Sequence, residues 1–227
     1  HFARKGGCVA LRMAEQALAQ GLPLHVEIIS KIEIGPVSWT DPSDPAFFDR
    51  YRPSLSLPNV TVHGALSNEE VLERVRKAHF VLLPTFGDTF GYSAIEGLMH
   101  GTPVIATAQC ALPEFITDGI NGFLLDLPVT AQGEWILLGR PDRASANFAE
   151  AHAAEVDRLA ATALERLSQL LDEPHRYAGI VTGAHESARQ HFDAVDADVF
   201  WDDLYSKAAQ GVVDFRLDAC ERCHAGR

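Results

Sequence analysis

The stretch "HFVLLPTFGDTFGYSAIEGLMHGTPVIAT", residues 79–107, holds two apolar runs separated by a glycine-containing loop and a short helical pattern. The first run, residues 79–84, has the length of a strand and is apolar throughout, which is typical of a strand covered on both faces. A helix is expected at about residues 92–100, and residues 103–107 form the second predicted strand. The stretch therefore predicts one strand–helix–strand unit of a parallel sheet.

The same alternation continues on both sides of this unit. Ser67, with Glu70 three positions later, forms a capping box that predicts the start of a helix. The other predicted elements are a helix at 8–20, strands within 22–30 and at 60–64, a helix at about 112–118 and a strand at 122–126. Short strands that alternate with helices predict an α/β fold with a doubly wound, Rossmann-like parallel sheet.

Helical patterns dominate the C-terminal part of the sequence. Residues 31–58 and 128–147 are predicted to be irregular, with one helical turn near Phe47–Tyr51. Three helices are then expected at about 150–172, 175–191 and 196–209. We therefore expect one domain over residues 1–210 and a flexible tail over residues 211–227.

Composition limits the classes of partner. The chain has 227 residues, 47% of them hydrophobic, which is enough for a large core, and its formal net charge is −12. This charge argues against non-specific nucleic-acid binding and against docking on anionic membranes. Because no signal peptide or transmembrane segment is recognised, the expected location is the cytoplasm. The opening "HFARKGG" lacks a preceding strand, so an upstream part of the fold is expected to be missing.

Two carboxylates frame the loop that follows the first apolar run. Asp88 lies in the loop and Glu96 about one turn into the next helix, while Gly87 and Gly91 allow close approach of a ligand. Carboxylates in this position could accept hydrogen bonds from the vicinal hydroxyls of a sugar or a ribose. The amides of residues 89–92 could bind a phosphate at the positive end of that helix. The spacing alone leaves open that Asp88 is a turn residue and Glu96 a solvated helix residue.

A second candidate segment is "ARKGG" near the start. Arg4 and Lys5 precede a predicted helix, and the amides of Gly6 and Gly7 could help them hold a diphosphate. A solvated basic end is the alternative. Neither a G-x-G-x-x-G motif after a strand nor a P-loop motif is present.

The order of these motifs resembles a known family. A Lys-Gly pair is followed by "DTFGYSAIE" (88–96), "GTPVIAT" (101–107) and "PEFITDGINGFLL" (113–125). Over residues 2–126 this looks like the C-terminal nucleotide-sugar-binding domain of family 4, or group 1, glycosyltransferases, which have the GT-B fold. The first carboxylate of the motif is usually Glu in that family, whereas this chain has Asp88.

The resemblance implies an enzyme that transfers a sugar from a nucleoside-diphosphate donor, with retention of anomeric configuration, to an acceptor that the sequence does not identify. It implies no metal and no cofactor, and it implies an N-terminal acceptor domain outside this chain. Lys5, aided by Arg4, would neutralise the diphosphate, Asp88 would contact the donor sugar, and Glu96 would bind the ribose hydroxyls. The remaining donor contacts implied by the family are Phe90, Gly91, Tyr92 and the stretch from Gly64 to Leu66. The base could be uridine, guanosine or adenosine.

The sequence leaves other functions open. They are a non-catalytic nucleotide-sugar-binding module and another GT-B enzyme, such as a sugar-nucleotide epimerase or a phosphorylase. "CERCH" at 220–224 matches a haem-attachment pattern, but its position near the chain end favours a free-thiol tail or a weak metal site. "DAD" at 196–198 is interpreted as a solvated acidic turn rather than a metal-binding D-x-D motif.

Overall fold

Short parallel strands form two hydrogen-bonded ladders in the computed structural model, which describes residues 1–33, 36 and 38–211. The first ladder joins β1 (Val26–Ile29) to β2 (Val60–His63). The second has the order β3-β4-β5 and consists of β3 (Val81–Leu83), β4 (Val104–Thr107) and β5 (Gly122–Leu125). The predicted α/β class with parallel strands is confirmed, although no ladder joins the two sheets within the described residues.

Helices separate the strands and follow them, as the sequence pattern predicted. They are α1 (Gly7–Ala19), α2 (Asn68–Lys77), α3 (Tyr92–Met99), α4 (Leu112–Phe115), α5 (Ala146–Leu171), α6 (Pro174–Phe192) and α7 (Ala194–Ala209). The irregular connection after β1 contains two 3₁₀ helices, Pro45–Tyr51 and Pro53–Ser56. The turn expected near Phe47–Tyr51 is therefore present, in a tighter form.

Side-chain caps set several helix boundaries. The predicted capping box is formed, because Ser67 accepts a hydrogen bond from the Glu70 amide and Glu70 accepts one from the Ser67 amide. Helix α4 ends before the predicted residue 118, because Ile116 is extended and Asn121 Oδ1 accepts a hydrogen bond of 2.8 Å from the Thr117 amide. Helix α5 begins earlier than predicted, because Ser145 caps it.

The three-stranded sheet is covered on both faces. All four residues of β4 are buried, and successive side chains of a strand point to opposite faces. Ile105 belongs to the larger apolar cluster with residues of α1, β1 and α5, whereas Val104 and Ala106 belong to the smaller one with residues of α3 and α4. Helices on both faces are the arrangement of a doubly wound sheet.

The C-terminal region differs from this core. Helix α7 buries none of its residues, and Asp196 and Asp198 are exposed in its first two turns, as expected for solvated carboxylates. The predicted tail and its "CERCH" motif lie outside the described residues, apart from Gly211. Within the described part of the chain, every helix is too short or too polar to cross a membrane.

Candidate active site

Two chain segments meet at the C-terminal end of β3. The Phe86 amide donates a hydrogen bond of 2.8 Å to the carbonyl of Arg4, and Thr85 Oγ1 lies 2.9 Å from the same oxygen. The Gly87 amide in turn donates to Thr85 Oγ1 at 3.2 Å. These bonds hold the segment before α1 against the loop before α3, so both helices begin at the same edge of the sheet.

Glycine makes this close approach possible. Gly6 has φ +84°, and a Cβ atom at this position would lie 2.2 Å from the carbonyl oxygen of Pro84. Gly91 has φ +76° and immediately precedes α3. Both helix starts therefore require a left-handed residue, which glycine adopts without steric cost.

The predicted cation and the first predicted carboxylate lie in contact. Lys5 Nζ forms an ion pair with Asp88 Oδ2, and the Asp88 side chain is 8% exposed while that of Lys5 is 42% exposed. Asp88 Oδ1 accepts a hydrogen bond of 2.8 Å from the Thr89 amide. The structure thus brings together two residues that lie far apart in the sequence.

Arg4 reaches the same loop. Its Nη1 donates a hydrogen bond of 2.9 Å to the carbonyl of Gly87. Its Nε atom is buried and has no hydrogen-bond partner among the described residues. Arg4 and Lys5 thus contact the same loop, at Gly87 and Asp88 respectively.

Backbone amides without a hydrogen-bond acceptor among the described residues lie at the start of α3. Within the described residues, the amides of Phe90, Gly91 and Tyr92 donate no hydrogen bond. The rings of Phe90 and Tyr92 are 41% and 73% exposed, and their centroids lie 5.7 Å apart. Free amides at the positive end of a helix are a favourable site for a phosphate.

Glu96 lies in α3, as predicted, and is half-buried. No described residue forms a hydrogen bond or an ion pair with its carboxylate. The pKa of the nearby His100 is lowered, first by desolvation and then by Arg76, while Glu96 acts in the opposite direction. The Glu96 carboxylate is therefore available as an acceptor.

The predicted base-binding segment is not joined to these residues. Gly64 is exposed and Leu66 half-buried after β2. In the described part of the chain, no hydrogen bond links this segment to Lys5, Asp88 or Gly91. Its role stays a prediction.

A buried polar group that sequence reasoning missed supports the site. Thr107 Oγ1 donates a hydrogen bond of 2.6 Å to the carbonyl of Thr85, and Gln109 Nε2 donates to the same oxygen. Gln109 is only 1% exposed. The available signal was the change from apolar to polar residues in "TAQ", directly at the end of a buried strand.

The next residue, Cys110, brings the loop after β4 to Asp88. Cys110 has φ +48°, and its amide donates a hydrogen bond of 2.8 Å to the carbonyl of Gly133. Burial raises the pKa of the Cys110 thiol, while a hydrogen bond from the Asp88 backbone acts in the opposite direction. Three loops thus converge around Asp88.

Aromatic rings and a histidine lie beneath the Asp88 loop. His152 of α5 is fully buried, and neither ring nitrogen has a hydrogen-bond partner among the described residues. Its ring centroid lies 4.9 Å from that of Phe86, 5.3 Å from that of Phe47 and 5.7 Å from that of Trp135. The pKa of His152 is lowered to about 4, mainly by desolvation and further by Arg50. The imidazole is therefore neutral and packs as an aromatic ring.

The family profile described as "Glycosyl transferases group 1" matches residues 4–132, which is more than half of the chain. The chain belongs to the group 1 glycosyltransferases. The match contains Lys5, Asp88 and Glu96, so the residues predicted from the motif order lie inside the family region.

Two curated relatives of this glycosyltransferase chain illustrate the similarity. A D-inositol 3-phosphate glycosyltransferase of Streptomyces griseus is 30% identical over 118 residues, covering 52% of this chain and 25% of the relative. An uncharacterised glycosyltransferase of Methanocaldococcus jannaschii is 37% identical over 71 residues, covering 31% of this chain and 20% of the relative. The matched segments thus cover at most about a quarter of the length of these two relatives.

Solved glycosyltransferase structures share the fold. The C-terminal domain of a group 1 protein from Francisella tularensis matches with TM-score 0.56 and 16% identity, covering 85% of this chain and 82% of that domain. An Anabaena protein in complex with UDP-glucose matches with TM-score 0.56 and 18% identity, covering 90% of this chain and 46% of that protein. At these identities the likeness establishes the GT-B-type fold alone.

Proposed function

We propose that this chain is the donor-binding domain of a retaining, metal-independent glycosyltransferase that acts on a nucleoside-diphosphate sugar. The observation that carries the proposal is the position of Lys5 beside Asp88, between the starts of α1 and α3. The unpaired amides at the start of α3 and two cationic side chains favour an anion at this edge of the sheet. The site therefore suits the diphosphate of such a donor. The amides of Gly6 and Gly7, which the sequence also suggested for the diphosphate, instead donate hydrogen bonds of 2.9 Å to the carbonyls of Ala3 and Phe2.

Different residues bind different parts of the donor. Lys5 and Arg4 bind the diphosphate, Glu96 accepts hydrogen bonds from the ribose hydroxyls, and Asp88 contacts the sugar. The half-buried, unpaired state of Glu96 supports its part of this assignment. The remaining contacts come from Phe90, Gly91 and Tyr92 at the start of α3 and from Gly64 and Leu66 after β2.

The same charges would lower the barrier to transfer. When the bond between the sugar and the β-phosphate breaks, negative charge develops on the leaving nucleoside diphosphate. Fixed cations and oriented amides stabilise that charge without further reorganisation. In this proposal Lys5, Arg4 and the free amides before α3 provide that stabilisation, so the reaction needs no metal ion.

A uridine donor is the first to test. The Anabaena neighbour was crystallised with UDP-glucose, which makes a hexose on UDP a reasonable probe for this fold. Because the matches cover only part of the length of the relatives, donor binding rather than transfer is the property proposed for this chain. Binding is therefore the property to measure on this chain.

The test is calorimetric titration of the chain with UDP and UDP-glucose, with and without a chelator, before and after Glu96→Gln. Both ligands should weaken together in the variant, because they share the ribose. The loss expected for a charge-assisted hydrogen bond is about 1.5–3 kcal/mol, or roughly tenfold to hundredfold in affinity.

Glu165→Gln is the matched control, since Glu165 is exposed on α5 and should leave both affinities unchanged. Chelation should also leave them unchanged. Binding that disappears with the chelator would contradict the metal-independent part of the proposal. The donor-binding assignment fails if the chain binds neither uridine, guanosine nor adenosine diphosphates, nor inorganic pyrophosphate.

A further inference from the structure

The carboxylate of Asp88 is held by the kinds of donor that would hold a phosphate. One oxygen pairs with the Lys5 ammonium group, and the other accepts a hydrogen bond from the Thr89 amide just before α3. The side chain is 8% exposed, so its charge is largely removed from water. Without a ligand, Asp88 thus neutralises the cation that the proposed function assigns to the diphosphate.

The backbone of Asp88 has little freedom to move away. The preceding carbonyl, of Gly87, accepts a hydrogen bond from Arg4, and the Gly87 amide donates to Thr85. A Cβ atom on Gly87 would lie 3.2 Å from Thr40 Cγ2, so the loop is also packed on its other side. The carboxylate can therefore leave Lys5 by side-chain rotation, but it stays near the diphosphate position.

We propose that Asp88 competes with the diphosphate for Lys5 and thereby makes the site prefer the intact sugar donor over the free nucleoside diphosphate. This inference rests on the proposed function. It adds a selective role to the sugar contact of Asp88, because the residue weakens binding of the product and so favours its release.

Ligand charge explains the direction of the preference. A terminal phosphate carries about −1.5 to −2 charges at pH 7. The β-phosphate of the sugar conjugate is a diester-like group with a single negative charge. A carboxylate that remains nearby repels the free diphosphate more strongly.

The sugar also compensates for the lost ion pair. Once displaced from Lys5, the Asp88 carboxylate needs new hydrogen-bond donors, because a buried charge without partners is costly. The hydroxyl groups of the donor sugar are such donors, whereas free diphosphate offers none. The cost of displacement is therefore offset only for the conjugate.

The experiment is titration of the chain with inorganic pyrophosphate, UDP and UDP-glucose, in the wild type, Asp88→Asn, Lys5→Gln and the double variant. Asp88→Asn should tighten pyrophosphate and UDP by about fivefold, the upper range for a partly exposed ion pair. The affinity for UDP-glucose should rise less or fall, because the hydroxyl groups of its sugar lose a charged hydrogen-bond acceptor. The preference for conjugate over UDP should therefore fall.

Two comparisons separate competition from a general charge effect. Asp172→Asn removes the same charge from an exposed position after α5 and should change none of the affinities. In the Lys5→Gln background, Asp88→Asn should no longer tighten the binding of pyrophosphate or UDP, since the ammonium group for which Asp88 and the ligand compete is absent. Thermal unfolding of each variant checks that the fold is retained.

The outcomes distinguish this inference from the proposed function. If the wild type binds these ligands and Asp88→Asn binds pyrophosphate and UDP equally or more weakly, competition is excluded while donor binding stands. Tightening that persists in the Lys5→Gln background also overturns it. If no variant binds any of the three ligands or another nucleoside diphosphate, the proposed function fails and the inference fails with it.

Discussion

His152 is a polar residue that packs in the aromatic core and has no part in the proposed donor binding. A buried polar side chain usually finds a hydrogen-bond partner. Both ring nitrogens of His152 lack one among the described residues, and the ring lies among Phe47, Phe86 and Trp135 instead. The neutral imidazole can be accommodated there, but the charged form would lose its hydration without compensation.

This burial makes the stability of the chain dependent on pH. The pKa of His152 is lowered from 6.5 to about 4, first by desolvation, so between these values the unfolded chain binds a proton that the folded chain does not. The free energy of unfolding should therefore fall as the pH drops below 6.5, by up to about 3 kcal/mol near pH 4. Above pH 6.5 the imidazole is neutral in both the folded and the unfolded chain, so His152 no longer makes the free energy of unfolding depend on pH.

Urea unfolding of the wild type and His152→Leu between pH 7 and pH 4.5 measures the effect. The variant should lose part of the pH dependence, whatever its absolute stability. His175→Gln, at an exposed position of α6, should keep the slope of the wild type. Equal slopes for the wild type and His152→Leu would show that the buried imidazole is not the group responsible.

At the scale of elements, the start of α1 depends on its contact with the loop after β3. Gly6 precedes α1 with φ +84°, and the carbonyl of Pro84 occupies the space where a side chain would begin. The same contact places Lys5 beside Asp88. The position of a helix and the charge of the site therefore depend on one residue.

Gly6→Ala should destabilise the chain by about 3 kcal/mol, because it combines left-handed strain with a steric clash. It should also weaken pyrophosphate binding, since Lys5 would shift with the start of α1. Gly179→Ala is the control, because Gly179 lies within α6 with open space around its Cα. That change should raise stability by about 0.8 kcal/mol. Similar melting temperatures for both variants would refute the role given to Gly6.

Elements whose boundaries depend on neighbouring residues were predictable from the sequence. The capping box of α2 is an example, since Ser67 and Glu70 satisfy each other locally. The end of α4 was not predictable, because Asn121 from beyond the helix takes the Thr117 amide. The role of Gln109 was equally hidden, since its partner, the Thr85 carbonyl, lies in the loop after β3.

At the scale of the molecule, strand and helix alternation was enough to predict the fold class, because both faces of a parallel sheet must be covered. The ordered motifs were enough to predict the family. The family resemblance assigned Asp88 and Lys5 to the same donor molecule but could not predict that they pair with each other. That contact depends on the tertiary approach of two loops.

The division of the strands into two ladders leaves some backbone amides without a hydrogen-bond partner among the described residues. Val26 and Val81 donate toward β2 and β4, respectively, through bonds to Asn59 and Pro103. Because alternate residues of a strand point to opposite sides, the amides of Glu27, Ile29 and Leu82 point away from these ladders. No described strand pairs with β1 or β3 on that side.

Solvent deuterium should distinguish these amides one by one. Nuclear magnetic resonance can measure the rate at which each amide hydrogen exchanges with deuterium. Exchange should be faster for the amides of Glu27, Ile29 and Leu82 than for those of Ile28 and Leu83, which point into the ladders. Uniformly slow exchange along β1 and β3 would mean that both edges are already covered.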